Sequence, residues 1–479
     1  MAPASSAARV IGMIPATPSV PARVRGEAPH HRSLARRPGR AELDRLSAGR
    51  DRVVDLLRIV SLAVVIGGHA LMLTVSGTAG PDGGPTLGNV LGDIPALQPI
   101  TWLLQIMPLF FFAGAAAATY GWRAAAPAGH RAAGHWLLAR AQRLLRPVGW
   151  YLLVALTILA VASGIGADTV SGVVAALGVQ LLWFLGAYLL VLAAVPLMQR
   201  LDSGRRVAGA VAGCWAVTAA VDAIRLTAGL PGLGYLTFAT VWAIPAILGV
   251  AYAKRLITVR TAALLATAAL AVDMLLVAAG PYDISLVTVP GQSLSNMNPP
   301  TLLLAGHTIV VCALAIALRA PLARLVARPR VWWWVVLGNR GAMTLYLWHL
   351  PVLGAIIGTG LACGIDRDPA SSTFWFVAGA QTVLLFALMV PVTAALSPLE
   401  NRPLPWWDAP LARSSSRSRD AVVLGCVLVT AVAVLMLARD GLDDGLGWAV
   451  LAGGAALLAR HTASVLPAGQ RDRTVYYSR

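Results

Sequence analysis

The chain holds almost no lysine and almost no glutamate. Lys254 is its single lysine, and Glu27, Glu42 and Glu400 are its only glutamates. Positive charge is therefore carried by arginine, and the apolar stretches are nearly free of carboxylates. Transporters coupled to protons or sodium usually keep carboxylates near the midplane, so this scarcity speaks against one. Cysteine is scarce as well: Cys214, Cys312, Cys363 and Cys426 stand far apart, mostly in apolar runs, with no CxxC pair. That pattern supports neither a zinc site nor a disulfide scaffold, and the four read as small buried residues with no metal to hold. Charged residues make up only 12% of the chain against 57% hydrophobic ones, with a mean hydropathy of +0.71. An ordinary soluble domain is excluded by those values. Residues 1–50 are rich in Ala, Pro and Arg, lack a sustained apolar stretch before a cleavage site, and read as a disordered basic arm.

Long apolar runs are what the sequence has in abundance. About twelve are long enough to cross a hydrocarbon core of roughly 30 Å. They fall at 53–75, 100–122, 147–163, 173–198, 208–224, 236–253, 262–279, 301–318, 334–358, 373–396, 421–437 and 447–458. The expected fold is an all-α, polytopic transmembrane bundle, with about ten core helices and two further carboxy-terminal ones. By this reading 51–407 form the membrane domain, 408–460 a linker with the last two helices, and 461–479 a tail. A net charge of +17 raises the question of nucleic acid, but the arginines flank apolar spans instead of covering a soluble face. No nucleic-acid partner is expected; the lipid bilayer is. With the amino terminus inside, the basic clusters at 123–146, 200–206, 254–260, 319–330 and 402–419 all fall in cytoplasmic loops. Only Arg225, Arg367 and Arg439 are left for the outer loops, so both termini are expected in the cytoplasm of a cell-membrane protein.

The first run, DLLRIVSLAVVIGGHA over 55–70, carries Arg58 and His69 inside an otherwise apolar stretch. Eleven helical residues come to about 20° beyond three full turns, so both side chains share one face, roughly 16 Å apart along the axis. An Arg within a membrane helix costs about 2.5–3.5 kcal/mol on insertion scales, and such residues usually face a cavity. Arg58 stands about 8 Å and His69 about 24 Å from the cytoplasmic edge. The Arg suits an anionic donor group, and a neutral His suits a general base acting on a hydroxyl. Asp55 lies some 21 Å from His69 along the same helix, too far to orient its ring. All three glutamates lie outside the runs, which leaves Asp222 or Asp273 as carboxylate partners, or none.

Asp55-x-x-Arg58 followed by His69 eleven residues after the arginine resembles the first helix of the acyltransferase-3 type integral-membrane acyltransferases. Further matches follow in order. The stretch 107–118 (MPLFFFAGAAAA) is similar to the family's Pro-Leu-Phe-Phe-Phe helix. Arg140-Ala-Gln-Arg143-Leu-Leu-Arg146-Pro147 is similar to its Arg-x-x-Arg motif, and 181–190 (LLWFLGAYLL) to its Trp-Phe-Leu helix. The stretch 341–351 (GAMTLYLWHLP) resembles its Gly-x-x-Ser-Leu-x-x-Tyr-x-x-His pattern, with Thr344 at the Ser position and a shorter gap from Tyr346 to His349. Glu400-Asn-Arg402-Pro403 resembles its Glu-x-Pro ending. The resemblance covers roughly 52–407 and implies transfer of an acyl group, acetyl foremost, from cytoplasmic acyl-CoA to a hydroxyl of a surface glycan, glycolipid or secreted metabolite. It implies acyl-CoA as co-substrate, with no bound cofactor.

Within that implication Arg58 and His69 are the catalytic candidates, and Arg140, Arg143 and Arg146, at three-residue spacing, the grip on the CoA phosphates. His349, about 22 Å into its run, and His307, about 10 Å below the outer face, fall near the depth of His69. These two, with Tyr346 and Trp183, are candidates for the acceptor side. Asn296 and Asn298, with Ser293, offer uncharged hydrogen bonds in the outer loop over 280–300. Trp332–Trp334 and Trp406–Trp407 read as interfacial belts. A secondary transporter or exporter is the competing function.

Overall fold

The computed structural model describes residues 49–76, 86–125, 132–166, 178–292, 294–412, 416–442 and 444–464, all within one compact unit spanning 39–479. Most of the arm over 1–50 and of the tail over 461–479 lies outside the described residues, as do Ser293, Arg131 and Arg413.

Helix α1 (Arg52–Met72) starts where Asp51 accepts hydrogen bonds from the backbone N–H groups of Val53 and Val54. Two phenols, Tyr120 and Tyr252, donate to the other oxygen of Asp51 at 3.0 and 3.1 Å. The amino-terminal end of α1 is thereby fixed to two other helices, α2 (Met107–Ala125) and α6 (Thr237–Ala253). Between them in sequence lie α3 (Ala133–Gly164), α4 (Leu182–Met198) and α5 (Gly204–Thr227). Then come α7 (Val259–Ala279), α8 (Leu302–Ala317), α9 (Arg319–Val326) and α10 (Pro329–Arg340). The chain continues through α11 (Ala342–Ala362), α12 (Phe374–Glu400), α13 (Arg417–Asp440) and α14 (Leu446–Ser464). Side-chain caps start several of them: Ser203, Thr258 and Thr301 each accept from a backbone N–H of the first turn.

Over their described parts the apolar runs fall mostly on helices, with 100–122 interrupted at 105–106, but fewer of them qualify as spans than the twelve expected. Among the described residues nine helices are long and apolar enough to cross a membrane, or ten if the α8–α9 pair, bent by 60°, is one span. Helix α4 is a shorter apolar helix. The chain is a multi-pass, all-α membrane protein.

Helix α6 sits at the centre, packed on α2, α4, α5 and α8, while α1 packs on α2, α11 and α12. Without a hydrophobic force between helices in lipid, close approach depends on small residues. A Cβ on Gly249 of α6 would lie 2.2 Å from the Phe112 carbonyl oxygen of α2, so only glycine permits that crossing. The last two helices share the main apolar core: Val423, Val427, Ala459 and Ala463 are buried in it. Asp420 of α13 accepts the backbone N–H groups of Gly134 and His135 at 3.1 and 3.0 Å, capping α3, and reaches the His135 ring at 2.9 Å.

Several expectations need correction. The run over 334–358 is two helices, because the chain breaks at Gly341, whose bare Cα packs where a Cβ would meet Thr393 Cγ2 at 2.3 Å. The first run ends at Met72, and Leu73–Ser76 pairs antiparallel with Thr86–Asn89 as a two-stranded ribbon. Glu400 is not outside the helices but the last, buried residue of α12, since helix geometry outlasts the hydrophobic run there. Trp332 is buried with the Arg52 guanidinium over its ring at 4.9 Å, unlike the exposed Trp334 and Trp406. Cys363, past the end of α11, is exposed.

Candidate active site

His69 lies in the last turn of α1, and the α11 residue it meets is His349. Nδ1 of His69 stands 3.0 Å from Nε2 of His349. The ring planes differ by 8°, and the centroids are 5.3 Å apart, well beyond the nitrogen spacing. The rings therefore meet edge to edge, in line with the lone pairs. Nδ1 of His349 faces two carbonyl oxygens of its own helix, Leu345 at 3.0 Å and Tyr346 at 2.9 Å. A carbonyl can only accept, so in neutral His349 the proton is on Nδ1 and Nε2 is a lone pair. His69 must then donate its Nδ1–H, and its Nε2 is left unprotonated. His349 is fully buried, His69 half-buried, and Nε2 of His69 has no hydrogen bond among the described residues.

The position of His349 is set by α12 and α3. Glu400 accepts from Thr344 Oγ1 and Trp348 Nε1, both at 2.6 Å, gripping α11 on the residue next to His349. The Glu400 carbonyl accepts from Arg146 Nε at 2.9 Å, and Arg146 Nη1 pairs with Asp408 at 2.8 Å. Tyr346 donates its hydroxyl to the Leu181 carbonyl and packs its ring on Phe184. Trp183 beside it joins an aromatic wall with Phe184, Phe238 and Trp242.

Arg58 stands on the same helix as His69. Its side chain is 29% exposed and its guanidinium reaches Asp55 only at 4.0 Å, while Arg50 pairs with Asp55 at 2.8 Å. The three arginines of α3 have unlike surroundings. Arg140 lies 3.8 Å over the Trp136 ring and donates to the Trp136 carbonyl; Arg143 is exposed; Arg146 is committed to Glu400 and Asp408.

Other candidates lie apart from the histidine pair. His307 donates from Nε2 to the Gln105 carbonyl at 3.2 Å and packs edge-on against Trp102. Its Nδ1 is buried with no partner. Asn296 is spent on the loop itself: its amide nitrogen bonds the Asp283 and Ser285 carbonyls and its oxygen accepts from Thr301. Asn298 is exposed. Neither Asp222 nor Asp273 partners His69. Asp222 pairs with Arg225 at 2.9 Å and accepts from Tyr282. Burial, and then the Asp222 charge and hydrogen bond, push the Tyr282 phenol up. Asp273 packs against Gly306, where a Cβ would lie 1.8 Å from its carboxylate. Among the described residues no three His, Cys, Asp or Glu side chains converge as metal ligands would.

Sequence reasoning missed two residues. For Glu400 the sequence offers the Glu-x-Pro ending past the apolar run, but not its hold on Thr344 and Trp348. Arg367, counted as an outer-loop charge, is fully buried and donates from Nη2 to the Ala70 carbonyl, next to His69, at 2.6 Å. Its backbone bridges Val75 in both directions, and burial pulls its guanidinium down to about 10. Nothing in its Asp-Arg-Asp setting signals that burial.

The chain thus joins a hydrogen-bonded imidazole pair, one ring buried and one half-buried, to a bundle of helices long and apolar enough to cross a membrane. The family described as acyltransferase domain, of the acyltransferase-3 type, matches residues 51–398, and the chain belongs to it. No curated protein and no solved structure matches the chain.

Proposed function

We propose that this membrane acyltransferase moves an acyl group, acetyl foremost, from cytoplasmic acyl-CoA to a hydroxyl of a surface glycan, glycolipid or secreted metabolite. His69 acts as general base. Its Nε2 takes the proton of the acceptor hydroxyl as that oxygen bonds to the thioester carbonyl carbon. The C–S bond then breaks, and the same proton passes to the CoA sulfur. Arg58, with its partly exposed side chain and weak hold on Asp55, binds the donor's anionic part, joined by Arg140 and Arg143. Arg146 is better read as a brace for Glu400, given its engaged guanidinium. The observation that carries the reading is the hydrogen-bond order that leaves Nε2 of His69 as a lone pair.

Both termini in the cytoplasm belong to the same proposal, since they put Arg58 on the donor side. The test is consumption of labelled acetyl-CoA by membranes containing wild type or Arg58→Lys. An ammonium cannot reproduce the planar fork, so Arg58→Lys should need a several-fold higher acetyl-CoA concentration for half-maximal rate. An unchanged dependence would remove Arg58 from the donor site.

A further inference from the structure

We infer that His349 is a proton relay as well as an orienting partner, and that the cation formed during transfer rests on His349 and not on His69. This rests on the acyl-transfer reading above and adds to it where the positive charge goes.

A catalytic histidine is ordinarily backed by a carboxylate, which orients the ring but keeps its own negative charge. No carboxylate is bonded to His69 among the described residues. Asp55 lies about 21 Å along α1, Asp222 holds Arg225, Asp273 packs on Gly306, and Glu400 holds Thr344 and Trp348. What stands at Nδ1 of His69 is another imidazole.

That difference changes the energetics of the second proton. Passing a proton from imidazolium to carboxylate runs uphill, from a reference of about 6.5 to one of about 3.9. Passing it between two imidazoles is nearly level. The geometry suits the transfer, since the nitrogens are 3.0 Å apart with the rings within 8° of coplanar. Full burial of His349 disfavours charge on that ring, and the hydrogen bonds at its far nitrogen offset that cost. Nδ1–H of His349 is held by the Leu345 and Tyr346 carbonyls, whose dipoles stabilise a cation on that ring. His69 makes no comparable bond to a carbonyl among the described residues.

The protons balance. The acceptor O–H breaks and its proton joins Nε2 of His69, while the Nδ1 proton of His69 passes to Nε2 of His349. The acceptor oxygen has meanwhile bonded to the thioester carbonyl carbon. When the C–S bond breaks, the Nε2 proton of His69 goes to the CoA sulfur, and the proton on Nε2 of His349 returns to Nδ1 of His69. The products are the ester and the free thiol, and both rings regain their starting tautomers without turning.

Two measurements on the full chain in lipid bilayers test this. The first needs no turnover: nitrogen NMR of ring-labelled histidine. It should show His69 and His349 both as Nδ1–H tautomers, with a coupling across the N–H···N bond that disappears in His349→Gln. Finding His69 protonated on Nε2 would overturn the inference while leaving acyl transfer by some other base intact. The second is acetyl-CoA thioester loss with glycerol or water as acceptor, followed in mixtures of H2O and D2O. Wild type should show a curved proton inventory, because two protons move together. His349→Gln can still accept the Nδ1–H bond but cannot take the proton, so it should turn over about tenfold or more slowly with a straight inventory. A merely orienting His349 would be rescued by Gln, and wild-type turnover with an unchanged inventory in His349→Gln would sink the relay. Melting of each variant in detergent controls for folding. No thioester loss in wild type would bring down the acyl-transfer reading and the relay with it, whatever the NMR result.

Discussion

Two histidine sites can be set side by side. His69 and His307 were expected at similar depth, and both rings are tied at one nitrogen. His307 spends Nε2 on the Gln105 carbonyl and keeps a free Nδ1 that is wholly enclosed. His69 spends Nδ1 on His349 and keeps a free Nε2 on a half-buried ring. The residue type is the same; what differs is whether the unprotonated nitrogen can be reached. The arginines teach the same lesson. Arg58 has one weak contact at 4.0 Å, while Arg146 is locked between a carboxylate and a carbonyl. A group held by the protein on every side braces the structure, and one held on one side is free to act.

The comparison breaks most visibly by exchanging the two histidines for asparagine. His69→Asn should lower acyl transfer by about 10²–10⁴-fold, the usual contribution of a positioned base. His307→Asn should stay within about threefold, since its accessible chemistry is one hydrogen bond. Rates of labelled acetyl transfer at equal amounts of folded protein decide it, and similar losses in both would erase the distinction.

The arginine contrast should appear in stability. Arg146→Ala strands Asp408 and the Glu400 carbonyl, and losing such charge-assisted hydrogen bonds at a partly buried site costs about 1.5–3 kcal/mol. Arg143→Ala, at an exposed position, should change stability by no more than about 0.5 kcal/mol. It should instead raise the acetyl-CoA concentration needed for half-maximal rate. Melting in detergent and saturation curves separate the two, and equal melting losses would mean that Arg143 is braced as well.

A smaller effect is expected at Arg367. Lysine there can still donate to the Ala70 carbonyl, so Arg367→Lys should cost about 1 kcal/mol, with transfer reduced only as far as the end of α1 loosens. Arg367→Met removes that donor and should cost more. Equal stability of the two variants would show that the bond to Ala70 contributes nothing.

Much of this was legible in the sequence, and the misses have physical causes. Hydropathy located most of the helices because a membrane span must be largely apolar, and the face shared by Arg58 and His69 follows from helix geometry. The apolar run through 334–358 hid the break at Gly341, because hydropathy is blind to the close packing of Gly341 on Thr393. Glu400 was misplaced because α12 outlasts its hydrophobic stretch. Arg140, Arg143 and Arg146 look alike in spacing, yet Trp136 and Asp408 give them different surroundings. The His69–His349 contact joins residues 280 apart in sequence, and no periodicity reaches that far.

The most direct test follows acetyl-CoA labelled in its acetyl group, with wild-type and His69→Ala membranes and a hydroxylated acceptor such as glycerol. The account predicts that wild type releases one free CoA for each labelled ester formed, and that His69→Ala does neither while remaining folded. Full transfer by His69→Ala, or no consumption of acetyl-CoA by wild type with any hydroxylated acceptor, would contradict it.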